Sequence, residues 1–166
     1  MAKDAHLIQM EVKGLMMDPN SSVPIVILRS EEHSRILPIW IGIFEANAIA
    51  LKLEGIEPPR PMTHDLLVNL LDDVNCTVDK VTINDLVDNT FFAQIFLHVD
   101  SKEFVVDSRP SDAIAVALRV GVPILVAKTV LDKAKTDDLS DRAQDKERLK
   151  KWLEEVDPDD LGKYTM

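Results

Sequence analysis

The chain carries two similar motifs, Arg60-Pro61-Met62-Thr63-His64-Asp65 and Asp107-Ser108-Arg109-Pro110-Ser111-Asp112, and an apolar stretch follows each. In each motif an Arg-Pro pair precedes a hydroxyl residue, Thr63 or Ser111, that can accept backbone N–H groups as a helix N-cap. The motif's last aspartate then falls in the first helical turn, where the helix dipole favours negative charge. The motifs therefore predict two helix starts. Capping does not require the arginines or His64, so these side chains are candidates for another role.

Working outward from the motifs, the chain shows one order of elements twice. Apolar, partly alternating runs predict strands at 6–12 and 78–83, followed by hairpins over Val23–Ile41 and Phe91–Asp107. An alanine-rich helix follows each hairpin, over Glu45–Leu53 with Gly55 as its stop and from Asp112 to about Gly121. Polar residues at 85–89 are expected to interrupt the second unit. This repetition predicts an α+β domain with an internally duplicated strand, hairpin and helix unit.

The remaining segments connect and extend these two units. A helix over Thr63–Val74 carries a leucine stripe that is predicted to face the core, and Pro123–Ala127 is predicted to be a short strand. We place the domain at residues 1–133 and a charged C-terminal helical extension at 134–166. The extension's predicted helix, Asp141–Val156, has one narrow apolar face, formed by Leu149, Trp152, Leu153 and Val156.

Length and composition indicate one globular domain. The 166 residues are 46% apolar with only 5 Gly, which is typical of a chain that folds around its own core. The single cysteine, Cys76, cannot form an internal disulfide. No apolar run approaches the roughly 20 residues needed to span a bilayer, and no signal-peptide core follows Met1. We therefore expect a cytoplasmic protein that does not contact the membrane.

Three sequence blocks in order resemble the bifunctional nuclease (BFN) domain family. They are residues 38–46 (PIWIGIFEA), residues 59–67 (PRPMTHDLL) and residues 107–114 (DSRPSDAI). The resemblance runs from about His6 to Leu131, and Ser108 departs from the alanine that is common in the family at that position. It implies an α+β fold with a mixed sheet, a homo-oligomeric assembly, and nuclease activity on DNA and RNA, as reported for some relatives.

Hydrolysis of a phosphodiester requires an activated water, stabilisation of the phosphate oxygens and a proton for the leaving group. His64 is the candidate acid or base, and Arg60 and Arg109 are candidates for bidentate phosphate binding. The two helix starts, at Thr63 and Ser111, would add donors to bind the substrate. Four carboxylates are further catalytic candidates and would bind Mg²⁺ or Mn²⁺, which prefer oxygen ligands. They are Glu45, Asp65, Asp107 and Asp112.

Each candidate also has a purely structural interpretation. Arg60 and Arg109 can form ion pairs with Asp65 and Asp112, His64 can be a surface residue, and Glu45 can be an ordinary first-turn acid. His6, His33 and His98 show no ligand spacing with one another or with a cysteine, so no zinc site is expected.

The alternative function is a non-catalytic oligomeric module that binds an anion or a partner. The net charge of −10 favours this alternative, because nucleic-acid surfaces are usually basic. Aromatic side chains in elements expected to be half-exposed predict a homo-oligomer, most simply a dimer. They are Trp40, Phe44, Phe91, Phe92 and Trp152.

Overall fold

The computed structural model describes residues 6–30, 32 and 35–137. In this part of the chain, seven strands form one sheet and four helices accompany it. The strands are β1 (Leu7–Met17), β2 (Pro24–Ser30), β3 (Arg35–Trp40), β4 (Cys76–Val87), β5 (Thr90–Val99), β6 (Lys102–Ser108) and β7 (Ile124–Ala127). The helices are α1 (Ile43–Leu53), α2 (Thr63–Asp73), α3 (Pro110–Val120) and α4 (Lys128–Asp137). The predicted α+β class is confirmed.

The sheet joins two three-stranded antiparallel units, in the order β3-β2-β1-β7-β4-β5-β6. Strand β7 pairs antiparallel with β1 and parallel with β4, so it links the two units and makes the sheet mixed. The hairpins predicted over Val23–Ile41 and Phe91–Asp107 are confirmed as β2–β3 and β5–β6. A helix, α1 or α3, follows each unit. That one unit is a duplicate of the other stays a prediction.

Glycines end both alanine-rich helices where the sequence predicts. Gly55 and Gly121 have φ angles of 66° and 74°, in the left-handed region that glycine enters without strain. The boundary predicted inside β4 is wrong, because the strand continues through residues 85–87. The turn to β5 is made instead by Asp88 and Asn89, with φ of 49° and 59°. Two consecutive positive φ angles suit a tight hairpin turn.

The core lies between the sheet and the helices α1 and α3. Small side chains on these helices allow the helix backbones to come close to the strands, and the side chains of Ala46, Ala113 and Ala115 are fully buried. Strand β2 is buried on nearly all of its length, including Ile25 and Val26, which point to opposite faces. Helices α1 and α3 also contact each other, which brings the residues around their N-terminal turns into reach.

The leucine stripe predicted to face the core is mostly exposed, so that prediction is wrong. Helix α2 contains no buried residue, and the exposed fractions of Leu66, Leu70 and Val74 are 52%, 54% and 62%. Only Val68 and Leu71 pack against the core. The helices α1 and α3 already cover the sheet, so α2 packs mainly against α3 with one edge.

Helix α4, which was not predicted, packs against β4 and β7. Its side chains Val130 and Leu131 belong to the core. The predicted helix Asp141–Val156 lies outside the described residues, and the boundary between 133 and 134 stays a prediction. None of the helices in the described part of the chain has the length and apolar character needed to cross a membrane.

Candidate active site

The first turns of three helices meet at one cluster of charged side chains. Glu45 lies in the first turn of α1, His64 in that of α2 and Asp112 in that of α3, and Arg109 is the N-cap residue of α3. Helix N-termini carry partial positive charge and unpaired N–H groups, which favour carboxylates at these positions. The cluster therefore forms where the sequence places acids at helix starts and where the packing of α1, α2 and α3 joins those starts.

A continuous chain of contacts links the four side chains. Arg109 Nη2 donates to Glu45 Oε1 at 2.8 Å, and Arg109 Nε donates to Asp112 Oδ2 at 2.8 Å. The other oxygen of Asp112, Oδ1, lies 2.8 Å from His64 Nε2. One guanidinium edge is thus held between two carboxylates, and one carboxylate is held between an arginine and a histidine.

The exposure of these groups differs. The Arg109 side chain is 65% exposed, whereas those of Glu45 and His64 are 16% and 13% exposed. A guanidinium has five N–H donors, and the two contacts to carboxylates use two of them. The two carboxylates therefore hold Arg109 in one orientation, while its remaining donors are open to solvent and to a ligand such as a phosphate.

The partners of Asp112 favour its ionised form. Burial raises the pKa of this carboxyl, but hydrogen bonds from His64 and Arg109 outweigh it and hold the pKa below its ordinary value. An ionised carboxylate only accepts hydrogen bonds, so His64 Nε2 carries a proton. A neutral His64 then has Nδ1 as its free acceptor, which is the tautomer that a general base requires.

The second carboxylate of α2, Asp65, pairs with an arginine that was not among the predicted site residues. Arg119 Nε donates to Asp65 Oδ1 at 2.7 Å, and Asp65 Oδ2 accepts the N–H of Met62 at 2.9 Å. The Arg119 side chain is only 6% exposed, and its other nitrogens donate to the carbonyls of Ala115 and Ala48. The Met62 N–H contributes most to the lowered pKa of Asp65, followed among the lowering effects by the Arg119 hydrogen bond. This pair fastens α2 to α3 and α1.

Spacing on α3 explains why Arg119 takes this role. Asp112 and Arg119 are seven residues apart, which places them on one face of the helix. His64 contacts Asp112, and the next residue, Asp65, contacts Arg119. The start of α2 therefore lies along two turns of α3. The seven-residue spacing is the signal in the sequence that identifies Arg119.

The other predicted site residues lie outside the cluster. Arg60 is exposed and, within the described residues, forms neither an ion pair nor a hydrogen bond, so the predicted pair with Asp65 is absent. Asp107 pairs across the sheet with Gln94, on the face opposite to the buried Ile95. It therefore points away from the core face of the sheet, which α3 covers.

The two predicted N-caps are also wrong. The N-cap residues of α2 and α3 are Met62 and Arg109, so Thr63 is the first residue of its helix and Ser111 the second of its helix. Neither helix has a side-chain cap hydrogen bond; Asp65 instead accepts the N–H of Met62, and Pro110 occupies the first position of α3. Ser111 is buried, and Thr63 is exposed.

The carboxylates do not form a metal site by themselves. Across residues 6–30, 32 and 35–137, no three His, Cys, Asp or Glu side chains are grouped to hold an ion. Oxygens of Glu45, Asp65 and Asp112 are instead occupied by Arg109, Arg119 and His64. That these carboxylates bind Mg²⁺ or Mn²⁺ stays a prediction.

Gly42, just before α1, makes room for the cluster. A side-chain carbon at this position would overlap the Glu45 carboxylate, with Oε2 as the nearest atom. The Gly42 φ of −72° is one that any residue adopts, so the position requires small size, not special backbone freedom. Gly42 lies in the sequence block 38–46, but no role was predicted for it from the sequence.

Comparisons with known proteins match the part of the chain that forms the cluster. The family model described as "Bifunctional nuclease domain" matches residues 26–138, which include every member of the cluster. An uncharacterised protein of Mycobacterium tuberculosis (strain H37Rv) is 41% identical over 162 residues, covering 92% of this chain and 97% of that protein.

Two plant proteins match more distantly. "Bifunctional nuclease 2" of Oryza sativa subsp. japonica is 27% identical over 77% of this chain and 41% of its own length. "Bifunctional nuclease 1" of Arabidopsis thaliana is 29% identical over 63% of this chain and 34% of its own length. The family match covers more than half of the chain, and the mycobacterial match covers nearly all of it. The chain therefore belongs to the bifunctional nuclease domain family.

Proposed function

We propose that this protein is a nuclease that hydrolyses phosphodiester bonds of DNA, RNA or both at the cluster of His64, Arg109, Asp112 and Glu45. One observation carries the proposal: Arg109 is fixed by two carboxylates yet largely exposed, and one of those carboxylates also orients a histidine. Asp112 therefore contacts both the anion-binding group, Arg109, and the proposed acid or base, His64. The family, which includes proteins named bifunctional nucleases, supports this interpretation.

In the proposed reaction Arg109 binds a non-bridging phosphate oxygen with its exposed donors. His64, held by Asp112, accepts a proton from the attacking water and returns one to the leaving oxygen. Glu45 keeps the guanidinium in place. Positioned proton transfer of this kind typically contributes about 10² to 10⁴ in rate.

The charge of the cluster limits how it can bind phosphate. Glu45 and Asp112 carry two negative charges against one positive charge on Arg109, so the cluster is net negative while His64 is neutral. Protonation of His64 makes it neutral overall. A divalent cation bound through substrate phosphates and one or two carboxylates would have a similar effect, and we propose Mg²⁺ and Mn²⁺ as the ions to test.

The same negative charge favours the second candidate, an oligomeric module that binds an anion or a partner without catalysis. One measurement distinguishes the nuclease from the non-catalytic module. We would assay purified protein on single-stranded DNA and RNA with Mg²⁺, Mn²⁺ or EDTA, and compare it with Arg109→Lys. Lysine keeps the charge but loses the planar two-pronged geometry.

The nuclease proposal predicts at least a tenfold loss of hydrolysis in Arg109→Lys with an unchanged melting temperature. Lys102→Gln is the control, because Lys102 is the exposed first residue of β6, at the opposite end of that strand from Arg109. Hydrolysis equal to wild type in Arg109→Lys would place the chemistry elsewhere. A wild-type protein that binds oligonucleotides but hydrolyses none would favour the non-catalytic module.

A further inference from the structure

A cavity of about 260 Å³ lies beside the cluster and has no role in the chemistry described above. It is formed by the end of α1, the segment 56–61, the first two turns of α2, and Arg119. Its polar side chains are Lys52, Glu57, Arg60, Asp65, Asn69 and Arg119. The cavity and the cluster share no residue, but His64 of the cluster and Asp65 of the cavity are consecutive in α2.

The floor of the cavity is electrically balanced and rigid. Arg119 is buried and makes three hydrogen bonds, to Asp65 and to two helix carbonyls. These contacts use its nitrogens, and the Asp65 carboxylate cancels its charge. A ligand in the cavity therefore meets a fixed, neutral floor, and the charges that can attract it lie at the rim.

The rim carries unpaired positive charge. Among the described residues, Arg60 and Lys52 make no hydrogen bond or ion pair, and both are exposed. The charge of Lys52 reaches the cavity, because it helps to lower the pKa of Asp65. Three cationic side chains face two anionic ones, Glu57 and Asp65, so the lining is net positive in a chain whose net charge is −10.

One part of the wall is apolar and stiff. Pro58, Pro59 and Pro61 form part of the lining together with Leu51 and Ile56. Proline fixes its own φ angle, so the segment loses little further freedom when a ligand binds. The volume falls just below the range of about 300–1,000 Å³ that is usual for drug-sized ligands. The cavity thus suits a small anionic group with an attached apolar or aromatic part.

We propose that this cavity binds one nucleotide of a single-stranded substrate, with its phosphate on Arg60 and Lys52 and its sugar or base against the proline wall. The proposal rests on the nuclease function above and deepens it by naming a second subsite. Asp112 and Arg119 are seven residues apart on α3, or about 10 Å.

Binding measured without hydrolysis tests this subsite. The probes are a short fluorescein-labelled single-stranded oligonucleotide with phosphorothioate linkages, as DNA and as RNA, titrated over a series of salt concentrations. Removing one phosphate-binding side chain should reduce the slope of log K against log salt by about 0.7. Arg60→Gln should lower affinity about tenfold, as expected for a charged hydrogen bond. The double variant with Lys52→Gln should reduce the slope by about 1.4.

The control is Lys102→Gln, which removes the same charge from an exposed position far from the cavity. Arg60→Gln should fold as the wild type does, because Arg60 is exposed and, among the described residues, makes no hydrogen bond or ion pair that the change would remove. Inorganic phosphate should compete with the oligonucleotide less effectively on the double variant than on wild type, because only Arg109 of the cluster still binds phosphate there.

Affinity and slope that stay unchanged in Arg60→Gln, or that fall no further than in Lys102→Gln, would overturn the subsite. So would a wild-type protein that binds neither oligonucleotide. Such results would leave hydrolysis by the cluster intact if wild type still cleaves. Conversely, a cavity-dependent affinity without any cleavage would support the subsite and contradict the nuclease function.

Discussion

Replacing Arg119 by methionine should destabilise the protein by about 2–4 kcal/mol. The Arg119 side chain is 6% exposed, and its Nε lies 2.7 Å from Asp65 Oδ1. A hydrogen bond to a charged group contributes about 1.5–3 kcal/mol, and loss of one partner of a buried pair costs about 3–5 kcal/mol. Asp65 is 28% exposed, so water compensates in part. Methionine preserves most of the apolar packing, which confines the effect to the missing charge and hydrogen bonds.

The assay is urea unfolding at neutral pH, followed by circular dichroism, with Arg60→Met as the matched control. Arg60 is exposed and, within the described residues, unpaired, so its replacement should change the free energy of unfolding by less than about 0.5 kcal/mol. Double-mutant cycles with Asp65→Asn should give a coupling of about 1–3 kcal/mol for Arg119 and almost none for Arg60. Coupling to Arg60 instead of Arg119 would refute the pairing that fastens α2 to α3.

Three further predictions concern acid stability, the cluster and assembly. Because the folded pKa of Asp65 is below its ordinary value of 3.8, its stabilisation is complete above that value and is lost as pH falls through the lowered pKa. Asp65→Asn should therefore be less stable at neutral pH and lose less stability than wild type between about pH 5 and pH 2, as measured by urea unfolding; equal losses would contradict this. Gly42→Ala should displace the Glu45 carboxylate and reduce hydrolysis several-fold, while thermal melting stays near wild type; unchanged hydrolysis would show that Glu45 does not position Arg109 for the reaction. The exposed face of α2 is proposed to pack against a second copy of the chain, so light scattering should show a dimer for wild type and a monomer for Leu66→Glu with Leu70→Glu; a monomeric wild type would contradict it.

Local signals predicted much of the fold. The hairpins, both alanine-rich helices and their glycine stops follow from turn residues, side-chain periodicity and the freedom of Gly55 and Gly121 to adopt positive φ. These features depend on residues within a few positions of one another. A single sequence therefore contains enough information to place them.

The largest errors concern contacts between distant segments. The apolar stripe of α2 indicates a helix, but periodicity cannot tell which side of the sheet is already covered; α1 and α3 cover it, and Leu66 and Leu70 stay exposed. Charge pairing has the same limit. Arg60 lies nearest to Asp65 in sequence, yet Arg119 binds it, because the packing of α2 along α3 decides which arginine reaches the carboxylate.

The candidate site was predicted in part. Glu45, His64, Arg109 and Asp112 were selected from motifs and do form one contact chain. Asp107 belongs to the same motif as Arg109, but the two-residue alternation of β6 points it to the other face of the sheet.

The most direct test of the proposed chemistry is the initial rate of oligonucleotide hydrolysis by wild type and His64→Ala, prepared in parallel and assayed on DNA and RNA. His64 is bound to Asp112 at 2.8 Å and is 13% exposed, so its loss removes the proposed proton-transfer group. We predict a rate lower by about 10² to 10⁴, with oligonucleotide affinity unchanged within a few-fold because Arg109 and the cavity remain. A rate equal to wild type in His64→Ala would contradict the assignment of the chemistry to this cluster.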